Sequence, residues 1–156
     1  TVNMNQIKKF LVKDMEKNMT RILSYGFGGC VGFIIYIKYN DENIDDIVYV
    51  SHLSSKEINK TLIYDIIEKN NNASYLSIYL KYPESYIKDE ETGKWITDRT
   101  DILDKYDKNK NINTIIDYYS LITDNSVNYS FNSTIYLRFK NDCLEFTDNY
   151  GFIKTL

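Results

Sequence analysis

The feature that most constrains the fold is the run from Val31 to Tyr39, which is rich in Val, Ile, Phe and Tyr. Residues of these types are enriched in strands, so the run predicts a strand. A polar turn follows over residues 40–43, and Asp46 to Ser51 is a second strand-like run. Because consecutive strands usually pair, we expect the two runs to form an antiparallel hairpin.

The remaining segments predict an α/β (α+β) fold in which a mixed or antiparallel sheet is flanked by helices. Apolar residues at helical spacing predict an amphipathic helix over residues 3–19, a second helix from Lys56 and a third from Thr114 to Leu121. Pro83 is expected to start a polar stretch that reaches Gly93. Further strands are predicted at Ile22 to Tyr25, Ser74 to Lys81, Trp95 to Ile96, Thr134 to Phe139 and Cys143 to Thr147.

Length and charge limit the classes of function. With 156 residues and no linker, we expect one domain over residues 1–156. The net charge is −3 and the lysines are interleaved with acidic residues, which does not favour a nucleic-acid partner. No apolar run is long enough to span a bilayer, so membrane insertion is not expected. Two distant cysteines predict no disulfide framework and a cytoplasmic setting, and with a single His we expect neither metal nor cofactor.

A glycine cluster precedes the first cysteine. Gly26, Gly28 and Gly29 make up half of the six glycines and lie directly before Cys30. Clustered glycine marks a sharply bent backbone, which can lift a thiol out of the core and direct backbone N–H groups at one point, as in an oxyanion hole. The structural alternative is a tight turn beside a buried cysteine, because free cysteine is among the most buried residue types.

The only histidine, His52, lies where the second strand of the predicted hairpin ends, and Cys30 lies where the first begins. In an antiparallel pair those two ends are neighbours. A nucleophilic cysteine needs a partner that takes its proton, and imidazole is suited to that task. A lone histidine can also be purely structural, but the joint placement favours a Cys-His pair.

The segment Ser24-Tyr25-Gly26-Phe27-Gly28-Gly29-Cys30-Val31-Gly32 resembles the active-site segment of the CheD family of chemoreceptor glutamine deamidases. The family segment has the pattern Thr, apolar, Gly, apolar, Gly, Ser, Cys, Val, ahead of a strand. In that family the histidine ends the following strand, and a helix and another strand come next. Ser51-His52-Leu53 and the elements after it match this order, so the resemblance covers Ser24 to Lys81, within the first half of the chain.

The resemblance implies a CheD-like architecture and a protein-glutamine deamidase that converts glutamine side chains of a target protein to glutamate through a Cys thioester. Cys30 would be the nucleophile, His52 the acid and base, and Ser24 the hydroxyl in place of the family's Thr. Gly28 and Gly29 would form the oxyanion loop, and the partner would be a protein substrate. Bacterial toxins that modify host proteins use the same architecture, so a viral or effector-type modifier is a further form of this expectation.

The chain also departs from the family. Leu53-Ser54-Ser55 replaces the family's apolar-Leu-Pro run after the histidine, and no family motif matches the residues from Pro83 onwards. Two alternatives stay open: a Cys-His peptidase or acyltransferase, and a binding module with a decayed site. Elsewhere, Cys143 in a strand-like run is expected to pack in the core, and Trp95 is expected to cap it.

Overall fold

The computed structural model describes residues 1–25, 30–54, 56–98, 112–120, 134–147 and 153–156. Within this part of the chain there are ten strands and two helices. In chain order they are β1 (Gln6–Leu11), α1 (Val12–Lys17), β2 (Arg21–Tyr25), β3 (Val31–Lys38), β4 (Ile47–Leu53), α2 (Lys56–Lys69), β5 (Tyr75–Lys88), β6 (Trp95–Asp98), β7 (Ile112–Ser120), β8 (Thr134–Lys140), β9 (Cys143–Thr147) and β10 (Ile153–Thr155).

The strands form two sheets. The larger has the order β1-β4-β3-β5-β6, with β7 also pairing with β5, and the smaller has the order β10-β9-β8-β2. Only the β5–β7 pair is parallel among the described pairs, so the larger sheet is mixed. The predicted mixed α+β class is confirmed. The predicted flanking by helices is wrong for one face, because there the smaller sheet packs on the larger one.

Each face of the larger sheet has its own core. The helix-side layer packs α2 on the sheet through Phe33, Ile35, Ile63, Ile67 and Ile78, together with six other buried apolar residues. The inter-sheet layer joins Ile34, Val50 and Tyr79 of the larger sheet to residues of β2, β8 and β9 such as Ile22, Leu137 and Phe146. The rings of Tyr79 and Phe146 meet across this layer with centroids 4.4 Å apart. Residues alternate between the two layers along the central strands β3, β4 and β5 of the larger sheet.

Both hairpins that the sequence predicts are present. β3 and β4 pair antiparallel from Val31 opposite Leu53 to Ile37 opposite Ile47. β8 and β9 pair antiparallel across Asn141 and Asp142, whose φ angles are 53° and 60°. Positive φ at both central residues is the geometry of a type I′ turn, which matches the twist of the strands that it joins.

The predicted helix over residues 3–19 is wrong. Residues 6–11 form β1, which pairs antiparallel with the edge of β4, and only Val12–Lys17 is helical. Met4 and Ile7 of the expected apolar stripe are 59% and 40% exposed, so the stripe is not buried as a unit. Pairing with β4 satisfies the backbone donors and acceptors of β1, and this tertiary gain outweighs the helical spacing.

The predicted helix from Thr114 is also wrong, because Ile112–Ser120 is a strand parallel to β5. Its β-branched and aromatic residues suit a strand as well as the apolar spacing suits a helix. Leu121 lies outside the described residues. Pro83 does not start a loop but lies within β5, immediately after Lys81 and Tyr82, where the described pairing with β3 has ended. A strand tolerates Pro where no ladder hydrogen bond is required of its nitrogen.

Two further expectations fail at the surface. Trp95 begins β6 with 69% of its surface exposed, so it does not cap the core. Cys143 is exposed at the start of β9, and it is the neighbouring Leu144 that packs in the inter-sheet layer. Alternation along β9 explains the result, since only every second residue faces inwards.

Candidate active site

The hairpin brings Cys30 and His52 to the same face of the larger sheet. Gly32 pairs with His52 across β3 and β4, and Cys30 lies two residues before Gly32. Side chains two apart on a strand share a face, and Cys30 packs with Ile34 in the inter-sheet layer. Cys30 is therefore a diagonal neighbour of His52. Such neighbours have Cα atoms roughly 7–8 Å apart, which larger side chains can bridge.

Gly32 places no side chain between Cys30 and His52. It is the residue directly opposite His52, where the Cβ atoms of a pair come closest. Because glycine has no side chain, nothing projects from β3 at this point on the inter-sheet face. The imidazole and the thiol can converge over the glycine backbone.

Ser24 reaches the histidine from the other sheet. Its Oγ lies 3.0 Å from Nδ1 of His52 and donates a hydrogen bond to the carbonyl oxygen of Val2 at 2.7 Å. A serine hydroxyl has one hydrogen, and that hydrogen is already donated to Val2. Nδ1 must therefore carry the proton and donate to Ser24. The neutral imidazole then has its lone pair on Nε2, which is the tautomer required of a base acting through Nε2.

A short segment that the sequence did not single out holds this arrangement in place. Val2 is fully buried, and its N–H donates to the carbonyl of Leu23 at 2.8 Å, beside Ser24. The N–H of Asn5 donates to the carbonyl oxygen of His52 at 2.6 Å. Residues 1–5 thus contact both β2 and the end of β4. No motif marks them, because their role rests on main-chain groups, which every sequence has.

Burial changes the acid–base properties of the pair. His52 is 1% exposed and Cys30 is 6% exposed. Burial raises the pKa of the Cys30 thiol and lowers the pKa of the His52 imidazole. Both shifts favour the neutral forms, because a charge is poorly solvated in the interior. At rest, these effects favour a thiol beside a neutral imidazole.

The structure describes only part of the segment that contains the glycine cluster and Cys30. The expectation that the bend lifts the thiol out of the core is wrong, since Cys30 is buried among apolar residues. Gly28 and Gly29, the predicted oxyanion loop, lie outside the described residues. Of the predicted site residues, the structure brings Ser24 and His52 into contact and places Cys30 in the same layer.

Within the described part of the chain, no group of three or more His, Cys, Asp or Glu side chains could hold a metal ion. None of the described helices combines the length and the apolar character needed to cross a membrane. No protein-family model, curated protein or solved structure matches this chain.

Proposed function

We propose that the chain is a protein-glutamine deamidase in which Cys30 attacks the side-chain carboxamide of a glutamine. The observation that carries this proposal is the chain of hydrogen bonds from His52 through Ser24 to the Val2 carbonyl. It fixes the imidazole with its proton on Nδ1 and its lone pair on Nε2, in the layer where Cys30 lies. The resemblance of residues 24–32 to the CheD active-site segment supports the same assignment.

In the first half of the reaction, Nε2 of His52 takes the proton from the Cys30 thiol. The sulfur forms a bond to the carboxamide carbon, and the electron pair of the carbonyl moves to its oxygen. The backbone N–H of Cys30 and that of a glycine before it would stabilise this oxyanion, each contributing about 3–4 kcal/mol. The C–N bond then breaks, and the nitrogen leaves as ammonia with the proton held by His52.

In the second half, Nε2 takes a proton from water, and the resulting hydroxide attacks the thioester carbon. The C–S bond breaks, glutamate leaves, and His52 returns its proton to the Cys30 sulfur. One water is consumed and one ammonia is released per glutamine. Ser24 remains hydrogen bonded to Nδ1 throughout, which holds the ring in one orientation.

The burial of the thiol supports a side-chain amide as substrate. A glutamine side chain is slender and unbranched, and it can project its amide away from the substrate's main chain. A peptidase must instead bring a main-chain amide with flanking residues to the sulfur, and Cys30 has only 6% of its surface exposed. A CheD-like architecture and a role as a viral or effector-type modifier of host proteins are parts of the same proposal.

The test is incubation of the chain with casein and with a short glutamine-containing peptide, followed by assay of ammonia and of peptide mass. We expect ammonia release and the small mass gain that accompanies conversion of an amide to an acid. The Cys30→Ala variant should lose both, and Cys143→Ala is the matched control because that thiol is exposed and lies on another strand. Cleavage of the casein or peptide substrate without release of ammonia would point to a peptidase. Intact substrate together with an inert Cys30 would point to a decayed site.

A further inference from the structure

A buried lysine lies in the layer that holds Cys30 and His52. Lys81 on β5 is fully buried, with 0% of its surface exposed. Leu80 and Tyr82 on either side of it belong to the helix-side layer, and Tyr79 belongs to the inter-sheet layer. By alternation, the side chain of Lys81 extends into the inter-sheet layer. Burial of an ammonium is costly, and lysine is almost never fully buried without a compensating partner.

Gly32 links Lys81 to the proposed site. It pairs with His52 on β4 and with Lys81 on β5, so the three residues form one row across the sheet. The central residue of the row has no side chain. Cys30, two residues before Gly32, is thus a diagonal neighbour of both ionisable residues. Diagonal neighbours are roughly 7–8 Å apart between Cα atoms, which long side chains can span.

A positive charge near Cys30 would favour formation of the thiolate. Burial raises the pKa of the Cys30 thiol and lowers that of the His52 imidazole, so burial by itself opposes transfer of the proton from sulfur to nitrogen. The nucleophile is nevertheless the thiolate. A cation close to a thiol favours its ionised form.

We propose that Lys81 supplies the positive charge that stabilises the Cys30 thiolate, so that the site is a Cys-His-Lys arrangement. This inference deepens the proposed function and rests on Cys30 being the nucleophile. The thiol proton still moves to Nε2 of His52. The ammonium keeps its own three protons and contributes only its charge.

Other groups near the row have to be considered. The titratable groups that the described strands of the larger sheet direct into this layer, besides Cys30 and Lys81, include His52 on β4, Tyr36 on β3 and Tyr79 on β5. The facing strands β2, β8 and β9 contribute Ser24 and apolar residues. In backbone register, Lys81 also pairs with Asp117 on β7. If the charge of Lys81 acted only on Asp117, removing it would leave the pKa of the Cys30 thiol unchanged, and the experiment below distinguishes the two cases.

The experiment measures the rate of iodoacetamide alkylation of Cys30 against pH, in a Cys143→Ser background that leaves one thiol. Lys81→Met removes the charge at similar volume, and we expect the thiol pKa to rise by about one unit or more, which slows alkylation at neutral pH about tenfold. Lys81→Arg should retain most of the reactivity. Lys9→Met, on the exposed strand β1, is the control for loss of one positive charge.

Each outcome decides the matter. A thiol pKa that is equal in the parent and in a folded Lys81→Gln chain overturns the proposal, and Lys81→Gln takes the place of Lys81→Met if that variant does not fold. A folded Lys81→Met chain with the parent's pH profile overturns it as well. If the profile shifts as expected but no glutamine substrate releases ammonia, the role of the lysine stands and the proposed deamidase function fails.

Discussion

The two layers on either side of β3 differ in what they bury. In the helix-side layer the buried polar groups are neutral and hydrogen bonded to neighbours: Ser51 donates to Asn59, and Asn70 donates to the carbonyl of Ile66. In the inter-sheet layer, near the start of β3, the structure buries Cys30, His52 and Lys81. Ionisable groups are costly in the interior, so their concentration in one part of one layer supports the site proposed above.

The largest expected effect is on the chemistry of the inter-sheet layer. His52→Asn keeps an N–H close to the position of Nδ1 and removes Nε2. We expect glutamine deamidation to fall by about 10²–10⁴-fold, the usual contribution of a general acid–base group. Ammonia release measures the rate, and thermal unfolding shows whether the variant is folded. A folded variant with the parent's rate would remove His52 from the mechanism.

A substitution in the helix-side layer should lower the stability of the fold and leave the proposed site unchanged. Phe33 is fully buried there, and Phe33→Ala should lower the free energy of unfolding by about 3–5 kcal/mol through lost contacts and a cavity. Urea unfolding measures this change. In the fraction that stays folded, the alkylation rate of Cys30 should match the parent's. A large loss of Cys30 reactivity in the folded fraction would show that the two layers are not independent.

A smaller effect is expected when the orientation of the imidazole is loosened. Ser24→Ala removes the acceptor of the Nδ1 proton, a hydrogen bond worth about 1 kcal/mol net, so the rate should fall about fivefold. Ser24→Thr keeps the hydroxyl and should recover most of the loss. Equal losses in both variants would show that the space around residue 24 matters and that the hydroxyl does not.

The smallest effect is on the dependence of stability on pH. Burial lowers the pKa of His52 in the folded chain, so the unfolded chain takes up the proton first as the pH falls. The contribution of His52 to stability is therefore full above about pH 6.5 and is lost as the pH falls through the folded pKa. Urea unfolding between neutral and acidic pH should show a shallower loss for His52→Asn than for the parent. Parallel curves would contradict burial of a neutral imidazole.

The sequence predicted the parts of the fold in which local pattern and pairing partner agree. The β3–β4 and β8–β9 hairpins have strand-forming residues and short polar turns, and both are present. β1 and β7 were predicted as helices because their apolar residues lie at helical spacing, and pairing with the neighbouring strands β4 and β5 makes them strands. Pairing across the sheet is not visible in a local window.

For the site, the sequence placed Cys30 and His52 at adjacent ends of one hairpin, which the register shows them to occupy. The contact of Ser24 with His52 could not be derived locally, because Ser24 belongs to the other sheet. Nothing in the sequence indicated that Lys81 is buried, since a lysine within a strand usually faces solvent. Its burial depends on the smaller sheet covering that face.

The pairing of β2 with β8 has a consequence for the order in which the molecule matures. Ser24 lies opposite Ile135, so the strand that orients the imidazole is paired with a strand much later in the sequence. During synthesis the β3–β4 hairpin can form long before β8 leaves the ribosome. Cys30 and His52, the proposed nucleophile and base, would then meet early, and the hydroxyl that sets the tautomer would be secured late. Competence of the proposed site would thus require that synthesis has passed β8.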